Sequence, residues 1–370
     1  MNGKRGRKGL IASLALLVAD AVLMLVFSRW GSAMFPAYRA FSKGLIRVQA
    51  AIASVAPFAL WDMGAVVLVV TGVALLVRRV RRRGPVMPLV SALCLVVSAT
   101  ATLFVGGWAL NHYAPPLGRE LGIETHAYAE QELVDATRHY LREAAVLVPQ
   151  VPRDEGGGLG RQDFFELARV AGASYERLGE RYGVFAAGST VPVKALLLAG
   201  EPLLLSGHVG IFWSPTGEAT VPLNCAVADQ PYIMCHEAAH RLGIASEQEA
   251  NFAAYLACST NEDVRFAYAG NLSAFGYCLN ALWGQDPQTA GQLLEETAAV
   301  PELEQGVRLV MGDRAATQEW YARYEGPFEE VGQAVNDSYL KGFGQREGVR
   351  SYGLVVDYLI AWQQLCDTRG

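Results

Sequence analysis

His236, Glu237 and His240 form a His-Glu-x-x-His pentad in a chain that has only six histidines. On a helix, side chains four residues apart project from one face, about one turn apart. Two imidazoles so placed can grip one zinc ion, and the glutamate between them can act as a base toward a water beside the metal. A third ligand is needed. The chain continues Arg241-Leu242-Gly243-Ile244-Ala245-Ser246-Glu247-Gln248-Glu249-Ala250-Asn251. Gly243 stands where the histidine helix must end, because glycine accepts the left-handed conformation of a helix C-terminus. Ser246 and Glu249 have the spacing of a capping box for the next helix. Glu247 then occupies the first helical position, free to face the histidines as third ligand. The reverse assignment, with Glu249 on the metal, stays open. Asn251 lies one turn beyond Glu247 and is a candidate partner for a ligand.

The run CHEAAHRLGIASEQEANFAAYLAC resembles a bacterial family of membrane-anchored, zincin-like proteins catalogued as a domain of unknown function. The likeness extends to GIFWSPTGEATVPLN before the pentad and to VNDSYLKGFGQREGVRSYGLVVDYLIAW near the C-terminus. The Glu247-to-Asn251 pattern is also similar to the Glu-x-x-Ala-Asp/Asn element of zincin peptidases. There the first glutamate is the third ligand, which implies that role for Glu247. The spacing departs from many glutamate-zincins, whose third ligand is more distant. It approaches the metzincin pattern, but Ser246 stands in that pattern's ligand slot. The resemblance implies a zinc metallopeptidase.

The elements that position these residues are read from composition. Apolar stretches at 10–27, 55–77 and 86–110 each approach or exceed the ~20 residues that cross a bilayer. Residues 1–108 carry 13 Lys and Arg against two acids, Asp20 and Asp62, a net of +11. The remainder carries 18 basic and 34 acidic residues, a net of −16. The expected architecture is a membrane anchor (1–110) joined to an acidic, extracytoplasmic catalytic domain (111–370), and the bilayer is its first partner. Basic clusters before the first span and after the second (Arg78 to Arg83) place the N-terminus in the cytoplasm. Arg29, Arg39, Lys43 and Arg47 run against that rule, spread over a long and amphipathic first loop. An acidic domain and arginines flanking apolar spans argue against nucleic acid. Asp20, inside the first span, is expected to face another helix.

The fold class expected is mainly α: three transmembrane helices, then a mostly helical zincin-like α+β domain with a small sheet before the pentad helix. Residues 112–122 read as a linker. Helices are expected over 128–147, 162–181, 228–242, 247–261, 263–284, 287–299, 302–324, 326–341 and 350–368. Short strands are expected within 187–223, where apolar runs alternate with Gly, Pro and Ser. An edge strand there could hold an extended peptide substrate. The five cysteines of the domain allow one disulfide, or buried thiols.

The chemistry expected is peptide hydrolysis, with zinc as cofactor on His236, His240 and Glu247 and with Glu237 as general base. Tyr352 is the candidate for a further catalytic donor, beside Tyr339 and His208. Glu218 lines the cleft or sits in a turn. Two alternatives share the ligand set: a binding or sensory protein without activity, and a hydrolase of non-peptide amides.

Overall fold

The computed structural model describes residues 2–343 and 355–369. It opens with three long helices: α1 (Asn2–Ala53), α2 (Leu60–Arg81) and α3 (Met87–Gly107). All three are long and apolar enough to cross a membrane. Helix α1 does not stop at residue 27. It is broken at Trp30, whose backbone leaves the helical region (φ −128°, ψ 15°), and it then continues to Ala53. Asp20 accepts a hydrogen bond from Thr102 Oγ1 of α3 at 2.9 Å, so it faces another helix as expected.

The segment read as a linker is instead a packed connector. A 3-10 turn (Ala109–Tyr113) leads into α4 (Leu117–Leu121), and Asn111, Leu117 and Leu121 are buried. Next come α5 (Glu130–Leu147), α6 (Phe164–Ala173) and α7 (Glu176–Arg181). The single helix expected over 162–181 is therefore two, bent at Ser174 and Tyr175.

The sheet follows: β1 (Lys194–Leu196), α8 (Gly200–Leu205), β2 (Ile211–Trp213) and β3 (Glu218–Pro222). Its order is β1-β3-β2, with β1 parallel and β2 antiparallel to β3. Residues 200–205, expected within the strand region, form a helix; Asp62 accepts the N–H groups of Leu197, Leu198 and Ala199 at 2.8–2.9 Å and turns the chain out of the sheet. The rest is helical: α9 (Gln230–Arg241), α10 (Glu247–Ser259), α11 (Val264–Gln285), α12 (Pro287–Ala298), α13 (Glu304–Ala322), α14 (Pro327–Gly342) and α15 (Val355–Arg369). The mainly helical fold with a small sheet just before the pentad helix is as expected.

Packing crosses the expected boundary at residue 110. Phe58, between α1 and α2, pairs with Ala195 of β1. Lys43 donates to the carbonyls of Val184 and Ala186, and Lys194 donates to that of Ala53. Arg39 forms a two-pronged pair with Glu120. The basic residues that broke the charge rule are thus partly spent on tying α1 to the domain. Glu218 is not a turn or cleft residue. It is buried, pairs with Lys194 at 2.8 Å, and accepts the N–H groups of Leu60 and Trp61 at the start of α2. Cys225, Cys235, Cys258 and Cys278 are buried thiols.

Candidate metal centre

Helix α9 carries the pentad and packs against β3, α6 and α10. It ends as the glycine foretold. Gly243 takes φ +88°, its N–H returns to the carbonyl of His240 (3.0 Å), and that of Ile244 returns to Ala239 (3.2 Å). This double closure reverses the chain within one turn. It brings the start of α10 back over the histidines.

The reversal makes three donor atoms converge. His236 Nε2 and His240 Nε2 are 3.0 Å apart. Glu247 Oε2 is 3.2 Å from the first and 3.5 Å from the second. Nitrogens bonded at 2.0–2.1 Å to one tetrahedral zinc would sit about 3.3 Å apart. Among the described residues, these three alone form such a cluster. The donor set of two imidazoles and one carboxylate therefore fits zinc in both chemistry and spacing.

Neighbours fix the ligands. His240 Nδ1 bonds the carbonyl of Ile244 at 2.7 Å, which places that ring's proton on Nδ1 and leaves Nε2 to face the metal position. Asn251, one turn beyond Glu247, is buried and lines the same cleft as His236. Trp108, immediately after α3, donates its indole N–H to the carbonyl of His240 at 2.7 Å and meets that imidazole edge-on.

The electrostatics favour positive charge at the point of convergence. Burial alone would depress His240, but the Glu247 carboxylate outweighs it and lifts the imidazole to about 9. Burial alone would raise Glu247, yet the two histidines hold it well below the usual carboxylate range. Burial pushes Glu237 up to about 8, with Glu247 adding to the effect. Glu237 Oε2 has no hydrogen-bond partner among the described residues. A buried carboxyl that titrates near neutrality, with one oxygen unpartnered among the described residues, can exchange a proton. Its other oxygen lies against Gly210, where an added Cβ would come within 2.5 Å of it. Only glycine leaves that room.

Glu249 does not close a capping box. Ser246 is the N-cap residue of α10, but its hydroxyl makes no capping bond. Glu249 Oε1 points away from the histidines and accepts from Leu117 N (2.7 Å) and Tyr358 OH (3.0 Å). Its partners are the free N–H at the start of α4 and a phenol of α15, and it is Glu247 that joins the histidines.

The cluster opens into a cleft of about 1040 Å³. One wall is β2 with Gly210, an outer strand of the sheet, and the opposite wall comes from α13 and α14. His208 lines the cleft, bonded to Ser206 Oγ at 3.0 Å. Tyr339 also lines it, 2.9 Å from His112 Nε2, and is pushed up first by burial and then by the charge of Glu247. Tyr352 lies outside the described residues. Sequence reasoning missed Trp108, His112 and Gly210. His112 is held near 4 by burial and so stays neutral at pH 7. The clue was composition: two aromatic, hydrogen-bonding rings stand where the apolar stretch 86–110 meets the segment read as a linker, Trp108 at the end of the one and His112 at the start of the other.

A family described as a protein of unknown function (DUF3810) matches residues 38–360 of the chain. The match begins in the second half of α1 and ends in α15. No curated protein and no solved structure matches the chain.

Proposed function

The chain belongs to that family, DUF3810, and we propose that it is a membrane-anchored zinc metallopeptidase. The observation that carries this reading is the convergence of His236, His240 and Glu247 within 3.5 Å of one another, with Glu237 in the same cleft. His236, His240 and Glu247 would hold the ion. Bound zinc supplies a Lewis acid for the scissile carbonyl and lowers the pKa of a water toward ~7. Glu237 takes the proton from the attacking water and delivers it to the leaving amine. The Tyr339 phenol, beside Glu247, is the donor for the developing oxyanion. Strand β2 offers its outer edge to an extended peptide, which would gain backbone hydrogen bonds alongside Glu237.

The basic clusters orient the anchor. Arg78 to Arg83 lie between α2 and α3, and Lys4 to Lys8 precede the first apolar stretch. Both belong on the cytoplasmic side. The α1–α2 connection, paired with β1, and the domain then face outward.

The test is metal analysis and peptide hydrolysis with purified full-length protein. The wild type and Glu237→Gln should both carry one zinc per chain, while hydrolysis falls by about 10²–10⁴-fold in the variant. A folded protein without bound metal would overturn the cofactor. Unchanged hydrolysis in Glu237→Gln would overturn the base.

A further inference from the structure

We propose that the second half of α1, residues 31–53, lies along the membrane surface rather than crossing it, and that the domain rests on it. The path of the helix requires a turn. Asp20 meets Thr102 of α3, and Gly31 packs on Tyr113 at the end of the 3-10 turn, so the first half runs alongside α3 and past its end. Eleven residues on (42 − 31), a straight helix would have advanced about 16 Å further. Instead Ser42 Oγ donates to the carbonyl of Gly107 at 2.7 Å, back at the end of α3. The break at Trp30 redirects the helix across the ends of the spans.

The redirected half has two faces. One is covered: Phe35 packs with Phe27, Val105 and Leu110, Ser42 meets the end of α3, and Lys43, Ile46, Ala50 and Ala53 are buried against the domain. At 100° per residue, Met34, Phe41, Val48 and Ile52 fall on the opposite side. They are open: Phe41 is 57% exposed, Val48 57% and Ile52 68%. Arg47, at the flank, is the one charged residue among the exposed positions of 31–53. Water is a poor neighbour for such a stripe.

The bilayer is the occupant that the connections dictate. The stripe is joined at one end to the lipid-facing positions Leu14, Val18 and Leu25 of the first half, and at the other to α2, itself a candidate span. A helix tied at both ends to spans keeps its free face at the membrane. A crossing orientation fails on the other face, because Lys43, Arg39 and the domain groups they bind would be drawn into hydrocarbon. The arrangement is that of an interfacial amphipathic helix. It also sets the height of the cleft, whose wall includes Phe104 in the last turn of α3. It holds whether or not the cleft hydrolyses peptides.

The experiment is electron paramagnetic resonance of full-length protein in phosphatidylcholine–phosphatidylglycerol nanodiscs. Nitroxides are placed one at a time by Phe41→Cys, Val48→Cys and Ile52→Cys, in a background of Cys94→Ala and Cys366→Ser. References are Val69→Cys in α2 and Glu155→Cys in the loop before α6. Labelled proteins that keep the parent's unfolding temperature are compared. The expected result is preferential access of oxygen over a water-soluble nickel chelate at all three sites, at similar depths shallower than residue 69. Depths differing by about 16 Å between residues 41 and 52 would mean a crossing helix and overturn the proposal. So would nickel access equal to that at residue 155, or dipolar broadening from a second copy.

Discussion

The molecule holds two clusters of buried charge, one within the short sheet and one on the helices that follow it, and they are built to opposite rules. In the first, Lys194 donates to Glu218 and to Ala53, Glu218 also accepts from Leu60, Trp61 and Thr216, and Asp62 accepts three backbone N–H groups. None of these three side chains leaves a buried polar atom without a partner among the described residues. In the second, two imidazole nitrogens and a carboxylate oxygen are aimed at a common point, and Glu237 keeps one oxygen without a partner among the described residues. Buried charge that only holds the fold together closes its own hydrogen bonds. The second cluster leaves them open, as the proposed binding of a cation and transfer of a proton require, at a cost that the surrounding fold carries.

The sharpest way to break the comparison is Glu218→Ala. It strands the Lys194 ammonium and frees the start of α2, and should destabilise the protein by about 3–5 kcal/mol. Thermal unfolding in detergent reads this, and the double change Lys194→Met with Glu218→Leu should recover most of the loss.

The open cluster should respond in the reverse sense to Glu237→Gln. Glu237 has its folded pKa raised from 4.5 to about 8, so the folded state holds a proton that the unfolded state gives up. Metal-free protein should therefore lose stability as pH rises from about 4.5 to about 8, by up to a few kcal/mol. The neutral amide removes that loss. Unfolding temperatures of chelator-treated wild type and variant, taken across this range, should converge at pH 4.5 and separate at pH 8, with the variant higher.

Glu249→Gln separates the two adjacent carboxylates. It weakens the acceptor for Leu117 N–H and Tyr358 OH and should cost about 1–3 kcal/mol, while zinc content stays at the wild-type value. Glu247→Gln should do the opposite, with zinc lost and the unfolding temperature of the metal-free protein less affected. The smallest effect belongs to Trp108→Phe, which removes one hydrogen bond to His240 worth about 0.5–1.5 kcal/mol. It should appear as weaker zinc retention in competition with a chelator.

The helices of the domain were legible because each buries an apolar face at helical period, and the cluster of His236, His240 and Glu247 because its side chains sit on one helix and the first turn of the next. Gly243 could be read as a helix end from its backbone freedom alone. What stayed hidden depends on partners far along the chain. Ser246 and Glu249 satisfy the local capping rule, yet Glu249 is drawn off by Leu117 and Tyr358, 132 and 109 residues away. Residues 200–205 look like a strand by composition and fold as a helix once Asp62, some 135 residues earlier, captures the preceding N–H groups. The length of α1 was obscured because the apolar count stops at Phe27, while its helical backbone continues on a second, two-faced pattern.

The bonds from Lys43 to Val184 and from Lys194 to Ala53 each span 141 residues. During synthesis the N-terminal helices emerge first. Their half of the contact is thus in place long before residues 184–222 have left the ribosome. The sheet then forms against a waiting edge at Phe58, and the histidine helix, made later still, closes onto Trp108. The three apolar helices are in this sense the first part of the domain to fold and a template for the rest. A chain that began after residue 110 would lack the Ala53 carbonyl that Lys194 bonds, the strand partner of Ala195 and the donor to His240. The long-range closures that remained would have to be found without that guide.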